Sequence, residues 1–339
     1  MGLWAFIARR VILALFVLIV VSIATFLLAH AVPGDPITAI MSDRQANNME
    51  VRAALERRWG LDKPIPVQYF YYVGNLLRGD WGESISRRTP VAQELRARVP
   101  ATIELTFYAL AFAIIVGVPL GIVSALNHDR WPDHLSRFIT LLGTSVPVFW
   151  LGLLLLYVFF YRLEWLPGPG RLDVGMQAPP EITGMITFDA LVTGDWTVLF
   201  AALKRLVLPS IVLGSFAMGI VARMLRSSLL SSLGDDYVRT ARAKGLGERS
   251  VVIGHAMRNA LIPTVTVLGL TMAGLLAGAV LTETIFSWPG VGSFAVSAAL
   301  KLDYPALLGV TLIVATIYVL VNLFVDIVYG LLDPRIRST

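Results

Sequence analysis

Few side chains in this sequence have the type and spacing needed for catalysis or ligand binding. There is no Cys, and the only lysines are Lys63, Lys204, Lys244 and Lys301. None of them follows a glycine-rich turn and precedes Ser or Thr, the pattern that binds ATP phosphates in a P-loop. The hydrolase patterns HExxH and GxSxG are absent too. We therefore predict no catalytic residue, no metal site and no cofactor bound by this chain.

Carboxylates inside apolar segments are the next candidates, because proton or sodium coupling uses such groups. Glu104 and Glu283 lie near the ends of apolar segments, whereas Asp326 lies well inside one, in VNLFVDIVYGLLDPRIR. Two interpretations of Asp326 stay open. It pairs with a nearby Arg or helix end, or it serves gating or gradient-driven transport.

The most unusual segment is a charged island, DDYVRTARAKGLGERS at 235–250, between two long apolar segments. The pattern predicts a helix over 237–244, with acids before it, basic residues at its end and Gly245 as its left-handed C-terminal residue. Two turns are too few for a stable isolated helix, so packing or a docked partner must hold it. A lever gripped by a partner and a solvated basic connection are both compatible with this pattern.

The elements that position these residues are membrane helices. The chain has 339 residues, of which 56% are hydrophobic and 15% charged, with a mean hydropathy of +0.71. A spanning helix needs about 20 apolar residues. Six segments qualify: 9–31, 101–127, 136–162, 204–226, 261–284 and 305–330. The first is too long for a signal peptide and is expected to be retained.

The distribution of Lys and Arg predicts the orientation of these spans. With both termini in the cytoplasm, the cytoplasmic side holds the seven basic residues of 223–258 and six others: Arg9, Arg10, Arg130, Arg137, Arg335 and Arg337. No block of five or more like charges occurs, so the basic balance indicates membrane topology and not nucleic-acid binding.

Three further expectations concern the connections. Residues 32–100 are expected to form a small folded extracytoplasmic region with helices in EVRAALERRWGL and VQYFYYVGNLLRG. Residues 163–203 are expected to be loop with short helices. A second amphipathic helix at about 248–259 should lead into the fifth span, with Pro263 in its first turn. Pro119 and Pro147 should bend the second and third spans.

The island resembles the cytoplasmic EAA loop of binding-protein-dependent ABC importer permeases, in the form found in the peptide and nickel uptake group. The resemblance extends over nearly the whole chain. Within the group, the chain is most similar to the dipeptide-type first permease. The matching motifs are RR at 9–10, PGDP at 33–36, GLDKP at 60–64, GDWGESI at 79–85, PATIEL at 100–105, ARMLRSSLL at 222–230, LTETIFSWPGVG at 281–292, DYP at 303–305 and DPRIR at 333–337.

This resemblance implies an all-α membrane protein with six transmembrane helices, a type I ABC importer permease. Its parts are the N-terminus with the first span at 1–31, the extracytoplasmic region at 32–100, and the permease core at 101–339 with a cytoplasmic coupling loop at 227–260. It implies a bacterial inner-membrane subunit that works with a second homologous permease, two ABC ATPases that bind ATP and Mg, and an extracytoplasmic substrate-binding protein.

The implied function is import of dipeptides or short oligopeptides. Nickel chelates, glutathione or opines are alternative cargoes for the same machinery. A gradient-driven transporter using Asp326 and a membrane enzyme or scaffold are alternatives of other classes.

The resemblance also implies site residues. The coupling helix, which meets the ATPase, would use Tyr237, Arg239, Thr240, Ala241, Arg242 and Gly245. The chain departs from the general EAA pattern because Arg239 occupies the Glu position and Thr240 the first Ala position. Asn259 and Pro263 would lie where motion enters the fifth span.

Two other groups of residues have alternative interpretations. Gly269, Gly274 and Gly278 of the fifth span either permit tight helix packing or line the passage. Trp288, Pro289 and Gly290 either form an interfacial Trp with a turn, or an outer gate or contact for the binding protein.

Overall fold

The computed structural model describes residues 3–31 and 63–332. Within these ranges the chain forms helices, with one antiparallel β bridge between Glu83 and Pro90. The predictions for EVRAALERRWGL, PGDP and DPRIR lie outside the described residues.

The helices follow one another along the chain without a sheet between them in the described part. They are α1 Leu3–Ala31, α2 Ile65–Leu77, α3 Val91–Leu126, α4 Trp131–Ser145, α5 Val148–Leu155 continued by the π-helix Leu156–Arg162, α6 Ile186–Thr193, α7 Trp196–Gly234, α8 Asp236–Ala243, α9 Glu248–Ser250 continued by the π-helix Val251–Ala256, α10 Met257–Ile285, α11 Val291–Leu300 and α12 Tyr304–Leu332.

All six predicted apolar segments are helical. Five helices of the described ranges are long and apolar enough to cross a membrane, and a sixth crossing results if α4 and α5, which meet at a bend of 106°, are counted as one span. The break lies at Val146, which is extended at ψ 128° because the following Pro147 disfavours a helical conformation there. The predicted bend at Pro147 is therefore confirmed, whereas α3 runs through Pro119 without interruption.

The central helix of the chain is α7. In its most apolar stretch 72% of the residues are buried inside the chain, compared with 33% in α3 and 11% in α1. The helix has 39 residues and extends well beyond the predicted 204–226 at both ends. The outer helices α1, α10 and α12 therefore leave most of their apolar surface for lipid or for another subunit.

Glycines bring α3 and α4 close to the backbone of α7. A Cβ on Gly117 would lie 2.9 Å from the carbonyl oxygen of Met218, and one on Gly121 would lie 2.8 Å from that of Ala222. The two glycines are four residues apart and so share one face of α3. From α4, Gly143 approaches α7 in the same way, at 2.8 Å from the carbonyl oxygen of Ser215.

The turn closed by the Glu83–Pro90 bridge, just before α3, is joined to the start of α12 by Asp303. This buried carboxylate accepts hydrogen bonds from the Ser84 hydroxyl at 2.5 Å, the Ile85 amide at 3.1 Å, and the amide and hydroxyl of Ser86 at 3.0 and 2.8 Å. Burial raises the pKa of Asp303, but these hydrogen bonds outweigh it, and the net pKa lies below its usual value. A single side chain thus joins segments more than 200 residues apart.

We predict that Asp303→Asn lowers the unfolding temperature at pH 7, by an amount equivalent to about 1–2 kcal/mol. Because the folded pKa is depressed, the carboxylate stabilises the fold above its unfolded pKa of about 3.9 and loses this effect as the pH falls through the folded pKa. The difference in unfolding temperature between the two proteins in detergent should therefore begin to shrink as the pH falls below about 4, and vanish once the pH is below the folded pKa. The exposed Asp236 is the control position, and a constant gap at all pH values would contradict the prediction.

Candidate functional site

The charged island forms the predicted helix, α8 at Asp236–Ala243, one residue earlier than expected. Gly245 follows with φ +78°, so its predicted left-handed conformation is confirmed. The Gly245 amide donates to the Arg242 carbonyl at 2.9 Å and the Leu246 amide donates to the Ala241 carbonyl at 3.4 Å. These two bonds make a Schellman motif, which ends the helix in a defined turn.

One face of α8 is buried against the rest of the chain. Val238 is fully buried and Ala241 is 6% exposed. Both belong to an apolar cluster that combines the ends of α3 and α7, the π-helix after α9, and α10, and that includes Ala125, Leu225, Leu229, Val251, Ala256, Met257 and Ala260. The prediction that Ala241 faces an ATPase groove is therefore wrong, because its side chain fills a space inside this chain.

The opposite face of α8 is open to solvent. Five of the six predicted coupling residues are exposed: Tyr237, Arg239, Thr240, Arg242 and Gly245. Arg239 lies 3.3 Å from the carboxylate of Asp236, and the Thr240 hydroxyl donates to the Asp236 carbonyl at 2.9 Å. A partner approaching from this side would meet a short basic helix whose position is set by its buried face.

The predicted separate helix at 248–259 is instead continuous with the fifth span. Helical structure runs from Glu248 through the π-helix into α10, so Pro263 lies in the helix interior and not in a first turn. Asn259 and Pro263 are both exposed and four residues apart. Since proline has no N–H, the carbonyl of Asn259 lacks its usual helical donor. The π-helix and Pro263 are two departures from α-helical bonding between α8 and the membrane part of α10.

A buried ion pair, which the sequence reasoning did not identify, joins α4 to α7. Asp133 is fully buried and accepts from Nε and Nη2 of Arg226, both at 2.9 Å, and from the Ser124 hydroxyl at 2.5 Å. Arg226 lies about two turns before the end of α7, which leads directly into α8. The only sequence signal was an acid in the first turn of a helix, since the pair is 93 residues apart.

At the other end of the bundle, Trp288 belongs to the core. It is 1% exposed, its indole N–H donates to the Ala101 carbonyl at 2.8 Å, and Arg171 lies over its ring. The interpretation as an interfacial Trp is therefore wrong, and this side chain cannot form an outer contact surface. Pro289 is exposed, whereas Gly290 is buried.

Gly290 makes room for a buried carboxylate that the sequence reasoning placed only near a span end. Glu283 is fully buried, and a Cβ on Gly290 would overlap its carboxylate. Glu283 accepts from the Thr102 hydroxyl at 2.6 Å and from the Ser293 amide at 2.8 Å. Gly290 and Ser293 belong to the N-terminus of α11, which favours a negative charge.

The segment 163–203 is loop followed by α6 and the start of α7, as expected. It is held against α3 by Glu104, a buried acid 2.5 Å from the guanidinium of Arg171. Glu104 also accepts from the amide and the hydroxyl of Thr187, both at 2.7 Å. This carboxylate therefore fixes both the loop and the beginning of α6.

The glycines of the fifth span differ in their surroundings. A Cβ on Gly269 would overlap Val325 of α12, so this position is a tight helix contact. Gly274 has no atom within 4 Å of such a Cβ and faces an open surface. Gly278 lies within α10, and its surroundings are outside the described part of the structure.

Asp326 has a basic partner, so the pairing interpretation is confirmed. Its carboxylate lies 2.8 Å from Arg10 of α1. The ring of Phe6 lies 5.4 Å from the same guanidinium. The pair connects the first and last helices of the chain.

Two known protein families match this chain. Residues 117–338 match the family described as "Binding-protein-dependent transport system inner membrane component", and residues 3–106 match "Binding-prot-dependent transport system membrane comp, N-term". The chain belongs to this family of permeases. The resemblance found in the sequence and the all-helical membrane fold are thereby confirmed, and the permease is a multi-pass inner-membrane component of a transport system.

Individual relatives match this permease over almost its whole length. The probable D,D-dipeptide transport system permease protein DdpB of Escherichia coli is 45% identical over 99% of this chain and 98% of its own length. The dipeptide transport system permease protein DppB of Alkalihalophilus pseudofirmus is 46% identical over 98% and 99%. The di/tripeptide transport system permease protein DppB of Pseudomonas aeruginosa is 45% identical over 98% of both.

We predict that Gly290→Ala destabilises the permease by about 1–3 kcal/mol, because the new methyl group displaces the Glu283 carboxylate. Pro289→Ala, at the exposed neighbouring position, should cost at most about 1 kcal/mol, the effect of releasing a proline in the unfolded chain. Thermal unfolding in detergent compares the two variants. A Gly290→Ala protein as stable as the parent would contradict this account of the buried carboxylate.

Proposed function

We propose that this permease is a transmembrane subunit of an ATP-driven importer that carries dipeptides or short oligopeptides into the cytoplasm. The observation that carries the proposal is α8, a short basic helix with one face built into the core and the other open. Similarity to dipeptide permeases over nearly the whole chain supports the choice of cargo.

In this proposal two ABC ATPases bind ATP and Mg and grip the open face of α8. Their closure moves α8, and the motion passes to the spans through the buried contacts of Val238 and Ala241 with α3, α7 and α10. The permease itself hydrolyses no ATP. The π-helix Val251–Ala256 and Pro263 are the points where the continuous helix from Glu248 into α10 can change its bend without breaking further hydrogen bonds.

The passage is proposed to lie between this permease and a second, homologous one. Open positions along α10 support this, among them Ile262, Leu270 and Gly274. A substrate-binding protein would deliver the peptide from the outside, where Pro289 is exposed. Both termini and α8 would then lie in the cytoplasm, in agreement with the excess of basic residues in 223–258.

The first experiment is purification of the tagged permease in mild detergent, with mass spectrometry of the proteins that accompany it. We expect a second permease and P-loop ATPases, and ATP-dependent dipeptide uptake after reconstitution with the binding protein. Nickel chelates, glutathione and opines serve as competing cargoes. Recovery of the permease alone, or uptake that follows an ion gradient and ignores ATP, would contradict the proposal.

We predict that Gly245→Val uncouples the importer. A β-branched residue at φ +78° costs about 1–3 kcal/mol and distorts the turn after α8, so uptake should fall about tenfold while ATP hydrolysis continues. Gly247→Val is the matched control, because Gly247 has φ −62° and open space around it. The ratio of peptide imported to ATP hydrolysed in proteoliposomes is the measurement. Equal ratios in both variants would exclude α8 as the coupling helix.

A further inference from the structure

An ion pair closes the turn between α8 and the helix that leads into the fifth span. Nη2 of Arg242 donates to one carboxylate oxygen of Glu248 at 2.6 Å, and Nε donates to the other at 3.1 Å. Such a two-point contact fixes the orientation of both side chains, not only their separation. Arg242 lies in the last turn of α8, and Glu248 is the first residue of α9.

The turn next to this pair is short and held by backbone hydrogen bonds at both ends. The Schellman motif ends α8, and Gly247 begins α9 by accepting hydrogen bonds from the amides of Ser250 and Val251 at 2.9 and 3.1 Å. Below the turn, Val238 of α8 and Val251 of the π-helix are both fully buried in one apolar cluster. The two arms of this helical hairpin are α8 and the helix that begins at Glu248. Apolar packing holds the arms together on their buried side, and the ion pair joins them on their exposed side.

We propose that Arg242 is a positioning residue that, with Glu248, makes α8 and the helix of the fifth span move as one body. This inference rests on the proposed role of α8 as the coupling helix. It changes the role proposed for Arg242: this side chain binds Glu248 of the same loop and does not contact the ATPase. Tyr237, Arg239 and Thr240 are left as the open face of α8 that a partner would meet.

The charges around the pair are compatible with this part. The hydrogen bond from Arg242 to Glu248 raises the pKa of Arg242, so the guanidinium stays charged at all working pH values. On α8, Arg239 is occupied by Asp236 at 3.3 Å. The side chains of Arg242 and Glu248 are 42% and 61% exposed, and exposed pairs stabilise folds very little. Loss of the pair should therefore leave the unfolding temperature unchanged. A change in coupling on its removal would then not be due to lost stability.

A charge exchange tests the proposal in the assembled importer. Arg242→Glu and Glu248→Arg should each lower the ratio of peptide imported to ATP hydrolysed by about two- to fivefold, the range of exposed ion pairs. The double variant restores an ion pair in the opposite sense and should return the ratio close to that of the parent. A double variant as poor as Arg242→Glu alone would overturn the proposal, because it would mean that another subunit reads the Arg242 charge. A normal ratio in Glu248→Arg would overturn it as well.

A cross-link gives an independent measurement, because the chain has no Cys of its own. Arg242→Cys and Glu248→Cys in one chain can be joined by a short bifunctional thiol reagent, with the intramolecular link verified by mass spectrometry. If the two arms move as one body, the linked importer should transport at least as well as the unlinked double-Cys protein. Loss of uptake on linking would overturn the proposal, since it would show that the arms must separate.

The parent complex separates this proposal from the proposed function. ATP-dependent uptake by the parent together with a failed charge exchange overturns only the role of the Arg242–Glu248 pair. A parent complex without ATPases, or without ATP-dependent uptake, overturns the proposed function itself.

Discussion

The close approach of α3 and α4 to the backbone of α7 is the contact on which the rest of the structure depends. Inside a membrane the hydrophobic effect does not drive helices together, so close packing and satisfied polar groups must do so. Gly117, Gly121 and Gly143 permit that packing, because any side chain there would meet a carbonyl of α7. Helix α6 leads into α7, and α8 follows it directly. The position of α7 therefore determines where α6 and α8 lie.

Paired charged side chains add a second set of contacts between distant segments. Ionised groups removed from water are costly unless they are paired. The buried Asp133 pairs with Arg226 and the buried Glu104 with Arg171, and the partly exposed Asp326 pairs with Arg10. Each pair joins segments that are distant in sequence: the first fixes the start of α4, the second fixes a loop, and the third joins α1 to α12. These three acids already have cationic partners, so they are poorly suited to carry a coupling ion.

Helix α8 is positioned by the same bundle through apolar packing. Helix α8 is too short to be stable by itself, but Val238 and Ala241 insert it into the cluster formed by α3, α7 and α10. Its inner face is thereby part of the permease core, and its outer face is free for a partner. A force applied to such a helix reaches three membrane helices directly, without a flexible linker.

The sequence by itself determined the fold class, the apolar helices, the position of the charged helix with its terminal Gly245, and, through its motifs, the family. These features are local: apolar length, proline and glycine conformation, and the order of charges are read over a few residues. Only the tertiary structure decided which face of α8 is buried, and hence that Ala241 points inward. It also decided that Trp288 is a core residue, that Glu283 needs the space left by Gly290, and that Asp326 meets Arg10. The physical reason is that burial and charge pairing depend on neighbours from remote helices, whose approach is set by the packing around α7 and not by local sequence.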